Sequence, residues 1–464
     1  MERTRDRFHP ALTTAGFGGV QVVFSLISGQ AVTHLTSLGL SKSAIAILLA
    51  GLPLCGTICQ PYFGSWSDQS ALRWGRRRPF IVAGTAVLVS SLCVLAWADL
   101  IIQGLFSDLV SPESLRLLLV LLAMLSTLAM FIAIQAIIVG QRAVITDNRT
   151  IVQQSEAHTW AGRHINISGT LGYLAAFLNH PEHVVGVHQT AFSRTTVPTI
   201  VFLVFAVGLT CYCNPEKQRT TLAPGDRHEG SLKLIRQVFF GPSSNMRTIF
   251  IIQFLSWLGW FPFLYYIVSF EPRAGFYTAV HTIPGALAPL SYSTVSLFTA
   301  LLLPNISATD TGGWTTILFR PQNLWLVSNL IFGFAMLGTI FVNTATGTVL
   351  LFSVVGISWA ITHRVPYSLL GDELSQESPE GRTQEDLSRS HGLVYGVHYM
   401  AICLPQIFIM SVMSVVWMSA DMTGGSALGV VWFLRLGGVS ALLAAYCTTR
   451  LEQATPEKGR GLSV

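Results

Sequence analysis

Apolar stretches of about 20 residues recur along the whole chain, and that is the length an α-helix needs to cross a bilayer. Gly, Pro or charge closes each of them, and the pattern predicts twelve. The first covers 15–38, the next four centre near Leu52, Val89, Ala129 and Thr170, and the sixth covers 197–213. A second set centres near Leu258, Val295, Phe332, Val355, Leu404 and Leu436. Between the sets lies 214–246, a polar stretch with Lys217, Arg219, Arg227, Lys233 and Arg236 that breaks at Pro224-Gly225. It is the only linker of its kind, and it leaves six spans on either side. The expected fold is all-α: about twelve transmembrane helices in two six-helix bundles. Residues 1–213 and 247–450 would form the bundles, 214–246 a cytoplasmic linker and 451–464 a cytoplasmic tail.

Composition agrees with this class. The 464 residues are 51% hydrophobic and only 11% charged, against about 25% charged in a soluble domain. The mean hydropathy is +0.54. The net charge of +5 is no nucleic-acid signal, because Lys and Arg concentrate in loops that fall on one side of the membrane. Cationic loops resist crossing an energised membrane, so those loops and both termini are assigned to the cytoplasm. The start MERTRDRFHP is basic, but no small-residue cleavage site precedes a helix of full length, so the first span is read as retained. The seven cysteines (Cys55, Cys59, Cys93, Cys211, Cys213, Cys403 and Cys447) are odd in number and lack metal-ligand spacing. They read as small core residues, and neither a metal nor a cofactor is expected. No GxxxxGK[ST] phosphate loop and no nucleophile–base pattern occurs, which argues against ATP as the energy source and against an enzyme.

Three stretches carry chemistry. The loop at 64–81, GSWSDQSALRWGRRRPFI, sets Arg73, Arg76, Arg77 and Arg78 opposite Asp68 at a helix exit. Span four ends in Gln141-Arg142-Ala143-Val144-Ile145-Thr146-Asp147. Arg and Asp are costly in hydrocarbon, so they face a wet cavity, or else snorkel at the interface. Five residues apart, they stand about 140° apart on an ideal helix and are no simple intrahelical pair. The seventh span carries QFLSWLGWFPFL, an aromatic run in mid-span rather than at the membrane boundary, with Trp257 and Trp260 three apart. Polar or aromatic side chains also interrupt other spans: Gln21, Gln135, Trp359 and His398. For His398 a satisfied structural histidine is favoured over a proton relay. The sequons at Asn148, Asn166 and Asn305 read as chance matches.

These motifs come in a particular order. After the first span stands SLGLSKS; GRRRPFI, QRAVITD, WAGR, QFLSWLGWFPFL, GISWA with RVPY and GDEL, GVH with LPQ, and RLGG follow. Across spans one to twelve the chain resembles the fungal-type sucrose and α-glucoside transporters. That family lies in the glycoside–pentoside–hexuronide:cation symporter group of the major facilitator superfamily. The resemblance implies the major facilitator fold and a proton-coupled secondary transporter of α-glucosides such as sucrose or maltose. It implies that Asp147 is the proton-accepting carboxylate with Arg142 as the cation tuning it. Asp68 with Arg76, Arg77 and Arg78 would lock neighbouring helices in one state of the cycle. Gln21, Gln135, Gln253, Trp257, Trp260, Trp359 and His398 would line the substrate site, with a sugar's C–H face on the indoles and its hydroxyls on Gln253. The sequence departs from the family at Ile27 and Phe131, where relatives carry acidic side chains. Each lost hydrogen-bond partner costs about 1–3 kcal/mol, so weak sucrose transport and a less polar cargo are expected.

Two other readings stand beside this one: an exporter of a glycoside or secondary metabolite on the same fold, and a non-transporting membrane sensor. The sensor normally needs a long cytoplasmic tail. The expected partners are a glycoside, a proton and the lipid bilayer, with no nucleic acid, and the expected form is a monomer. The expected address is the plasma membrane, with a vacuolar or other endomembrane as the alternative.

Overall fold

The computed structural model describes residues 9–178, 191–216, 244–267, 283–308, 317–376, 391–423 and 428–451. Most of the 214–246 linker, most of the 375–389 loop and nearly all of the 451–464 tail lie outside these residues. Among the described residues twelve long helices follow the apolar pattern: α1 Gly16–Ser37, α2 Lys42–Asp68, α3 Arg78–Ala96, α4 Pro112–Asn148, α5 Ile151–Leu178 and α6 Ala191–Cys213. The second set is α7 Ser244–Tyr266, α8 Ile283–Ala308, α9 Pro321–Gly338, α10 Ala345–Thr362, α11 His391–Thr423 and α12 Leu428–Thr448. A further helix, Val365–Gln376, continues the line of α10 after a turn at His363.

The helix starts are written in the sequence. Ser41 accepts from the Ala44 N–H at 3.2 Å and Ser111 from the Ser114 N–H at 3.4 Å, each satisfying a first-turn donor. Proline opens α3, α4 and α9, where its missing N–H costs nothing. Among the described residues nine stretches are long and apolar enough to cross a membrane. α5 is not among them. Gln153, Gln154, Glu156, His158, Arg163, His164 and Asn166 stud its length, as befits a helix buried between others.

The two sets of six repeat each other. α1 packs on α5 and α6 as α7 packs on α11 and α12. α2 meets α4 as α8 meets α10, while α3 meets α4 and α6 as α9 meets α10 and α12. Each set has its own apolar core: Val23, Leu35, Leu88, Ile134 and Leu203 in the first, Trp260, Phe263, Phe332, Phe352 and Leu434 in the second.

Two seams join the sets, and they are also related by the repeat: α2 against α11 and α5 against α8. At the α5–α8 seam the Ser296 hydroxyl donates to Asn166 Oδ1, Thr170 Oγ1 donates to the Ser293 carbonyl at 3.0 Å, and Arg163 Nε to Ala300 O at 3.3 Å. Asn166 is buried and donates to Gly162 O at 2.8 Å, so this sequon offers no free amide. The α2–α11 seam is closed by backbone. A Cβ on Gly64 would collide with the Gly392 carbonyl, and one on Gly396 would lie 2.7 Å from both Gln60 O and Pro61 Cα.

Gly396→Leu is therefore expected to wedge α2 from α11. In a background freed of native thiols, a cysteine placed at the buried Ser65 should then react with a polar maleimide severalfold faster. An unchanged rate in a folded variant would show that the seam does not depend on this approach.

Candidate functional site

The described functional side chains fall into two clusters. The first forms where α2 ends. Asp68 is its last residue, and the following loop turns at Gly75, whose φ of +100° suits glycine and whose N–H donates to Leu72 O at 3.0 Å. A side chain there would also strike Glu216. The turn carries Arg76 and Arg77 back beneath α2 and α4. Arg77 is fully buried: its Nη2 pairs with Asp68 and its Nε with Asp147 Oδ2 at 2.8 Å, and its Nη1 donates to the Ser67 hydroxyl. Arg76 reaches Asp147 Oδ1 at 2.6 Å through Nη2 and Oδ2 at 3.0 Å through Nε. His391 Nδ1 lies 2.9 Å from Asp147 Oδ1.

Asp68 does one thing more. Its carboxylate accepts the backbone N–H groups of Gly392 at 3.1 Å and Leu393 at 2.9 Å. These belong to the first turn of α11, where no intrahelical carbonyl can reach them and the helix dipole favours an anion. A side chain of one six-helix set thus caps a helix of the other. Glu216, just past α6, does the same for α3, accepting from the N–H of Arg77 at 3.0 Å and of Arg78 at 3.1 Å. Burial pushes the Glu216 carboxyl above its ordinary value against the pull of those bonds. For Arg77 desolvation opposes the charge, but Asp147 and Asp68 outweigh it, so its pKa lies above the ordinary guanidinium value. The Arg78 side chain forms no ion pair among the described residues; its backbone alone contributes.

Arg142, which the resemblance makes the cation tuning Asp147, forms no ion pair with it among the described residues. The cations at Asp147 are Arg76 and Arg77, because the turn of α4 points the two side chains apart. Arg142 belongs to the second cluster. Its guanidinium lies over the Tyr367 ring at 3.5 Å and the Phe17 ring at 4.5 Å, with Nη1 3.4 Å from His158 Nδ1. Tyr367 also meets the His398 ring at 4.9 Å, and His398 meets Phe250 at 6.2 Å. Gln253 stands one turn past Phe250 and one before Trp257, so the three share a face of α7. Trp257 then meets Trp359 at 6.0 Å, and Trp359 meets Tyr292 at 5.8 Å and His363 at 4.2 Å.

The structure thus places His398 one ring away from Arg142 through Tyr367, sets Gln253 and Trp257 further along the α7 face with Trp359 against Trp257, and sends other candidates elsewhere. Trp260 is walled in by Phe332 at 4.4 Å, Phe263 at 5.8 Å and Trp359 at 5.0 Å, behind the face rather than on it. Gln135 accepts from Gln60 at 2.9 Å and donates to Phe131 O at 3.1 Å, tying α2 to α4. Gln21 lies against Gly169 of α5. Ile27 and Phe131 are buried in the apolar core of the first six helices, Phe131 against Gly51.

Several buried polar atoms here have no hydrogen-bond partner among the described residues: both amide atoms of Gln253, Trp257 Nε1, Arg142 Nε, His158 Nε2 and both ring nitrogens of His398. Buried polar groups are as a rule bonded, so a concentration of open ones in an aromatic setting makes this the candidate ligand site. Among the described residues no group of His, Cys, Asp and Glu is placed to hold a metal. Sequence reasoning passed over Glu216, His391, His158 and Tyr367. The signal for the first two lay in position alone, a carboxylate just beyond span six and a histidine opening span eleven.

No protein-family model matches the chain. It is 27% identical to the general alpha-glucoside permease of Schizosaccharomyces pombe over 96% of this chain and 93% of that one. It is 25% identical to a sucrose transport protein of Arabidopsis thaliana over 94% and 90%. The proton:xylose symporter XylE, solved with 6-bromo-6-deoxy-D-glucose, shares the fold with a TM-score of 0.64 at 16% identity over 95% of each chain. The MFS-type transporter cctQ of Talaromyces islandicus is 42% identical over 36% of this chain and 71% of its own length. With twelve helices in two repeated sets and that degree of identity, the chain belongs to the major facilitator superfamily of transporters.

Proposed function

We propose that this membrane protein carries α-glucosides such as sucrose or maltose by alternating access, in symport with protons. The observation that carries the reading is the open hydrogen-bonding set of Gln253, Trp257 and His398, set among aromatic rings of the second six-helix set. The sugar's C–H face lies on Trp257 and Trp359, and its hydroxyls pair with Gln253 and His398. The permease and sucrose transport proteins that the chain resembles along nearly its whole length support the choice of cargo.

In this reading residues 1–213 and 247–450 are the two moving units and 214–246 the strap between them. The cluster at Asp68 is the cytoplasmic gate, here closed. Proton coupling runs through Asp147: a proton on that carboxylate removes the charge that holds Arg76 and Arg77, and so loosens the gate. Both termini are cytoplasmic, the membrane is the plasma membrane, and the working unit is a monomer.

Uptake of labelled sucrose and maltose by a transport-null cell tests the cargo, and an imposed proton gradient tests the coupling. Accumulation against a gradient is expected, and Asp147→Asn should abolish it while leaving the protein folded. Wild-type accumulation by that variant would refute the coupling role.

Arg76→Ala is expected to slow turnover with little change in apparent affinity, since Arg76 lies in the gate and touches no cargo. A large affinity loss at normal turnover would contradict this. Arg77→Ala is expected to cost more. It leaves Asp68 and Asp147 buried without their shared cation, a loss of about 3–5 kcal/mol, which a lowered thermal midpoint in detergent would register.

A further inference from the structure

Two arginines stand beside the α5–α8 seam, one from each six-helix set. Arg163 is on α5, and Arg364 is in the turn between α10 and the helix Val365–Gln376. A Cβ built on Gly162 would lie 3.8 Å from the Cβ of Arg364, and the two guanidinium groups are within electrostatic reach of each other. Arg163 is engaged: it lies over the Trp160 ring at 4.5 Å and donates from Nε to Ala300 O at 3.3 Å. Glu156, exposed two turns earlier on α5, is an acid that acts on it. Arg364 is open. Its Nη1 is buried with no hydrogen-bond partner, and among the described residues no carboxylate pairs with it. Like charges on the two sets repel, and a buried guanidinium donor without an acceptor is costly. An anion placed between them reverses both effects.

The surroundings narrow what that anion is. A small cavity lies beside Arg364, with Gly162, Ala300 and Ala360 in its walls together with Thr159 and Thr299. Both threonine hydroxyls already donate to carbonyls of their own helices, Ser155 O and Val295 O, each at 2.9 Å, so the arginines supply the donors. On α8 Phe298 and Leu302 adjoin this wall in sequence and are exposed, which gives the cavity apolar flanks of the kind that acyl chains cover. Trp160 meets His9 at 5.3 Å, and His164 Nε2 lies 2.8 Å from Ala11 O, so the cavity is level with the point where the chain enters its first span. Tryptophan and arginine together at that depth mark the headgroup level of a bilayer.

We propose that this is a lipid site, in which the phosphomonoester headgroup of an anionic phospholipid of the phosphatidic acid type bridges Arg163 and Arg364 while its acyl chains run over Phe298 and Leu302. Two guanidinium groups call for more than one negative charge, and a phosphomonoester carries about −1.5 to −2 near neutral pH where a diester carries a single charge. The small side chains in the wall suit a headgroup with nothing beyond the phosphate. Because the two arginines belong to different sets, the bound lipid ties the sets together at the seam that lacks the Asp68 cluster. The site is separate from the aromatic centre and independent of what that centre carries.

Native mass spectrometry of the full-length protein in detergent, titrated with dioleoyl phosphatidic acid, phosphatidylglycerol and phosphatidylcholine, tests this. Phosphatidic acid is expected to bind about tenfold or more tightly than either of the others, the scale of one charge-assisted pair. Arg364→Gln and Arg163→Gln should each lower it to the level of phosphatidylglycerol. Glycerol 3-phosphate separates a lipid from a free phosphate: it is expected to displace phosphatidic acid only at far higher concentration, and displacement at equal concentration overturns the lipid assignment. Phosphatidic acid binding that survives Arg364→Gln in a folded variant overturns the site. Equal binding of the three lipids by the wild-type protein overturns it whether or not the variants fold.

Discussion

The carboxylate of Asp68 completes the first turn of α11 while Arg77 holds it from below, and the separation of the two six-helix sets at this end must break that arrangement. Neither part is overwhelmingly strong. A lost helix cap costs about 0.5–2 kcal/mol, and much of the Coulombic gain of a buried ion pair is returned as desolvation. The proposed gate needs this balance, because a contact far stronger than the driving free energy would trap one state. The carboxylate of Asp147, held by Arg76, Arg77 and His391, adds a second tie at the same end.

α4 links the gate to the centre. Asp147 at its end belongs to one cluster and Arg142, about 140° around the helix, to the other. The helix spans 37 residues and packs on α2, α3 and α11. Arg142 and Asp147 are therefore positioned by the same rigid element. Coupling of this kind needs no long chain of intermediates, since both side chains ride on one rod.

The helices were legible in the sequence because length and hydropathy alone specify a span, and the arginine-rich loop because charge is readable without geometry. Partners were not. Asp147 takes its cations from a loop some 70 residues away rather than from the nearer Arg142. Trp257 and Trp260 lie three apart on α7 and look equivalent, yet Phe332 of α9 closes over one of them only. Gln135 reads as a cavity residue until Gln60 is seen to claim it. Ile27 and Phe131 looked like missing contacts because comparison by position says nothing about which way a side chain packs. Each of these depends on a neighbour far off in the chain, which no local pattern records.

The helix that carries Asp68 also contains two prolines, Pro53 and Pro61. Each deletes a backbone donor and leaves the carbonyl four residues earlier without its helical partner. The second sits at the seam, its Cα beside Gly396. α2 is thus mechanically compliant at the level where it crosses α11, and stiff below. In the proposed opening of the gate, that joint is where α2 can bend most easily.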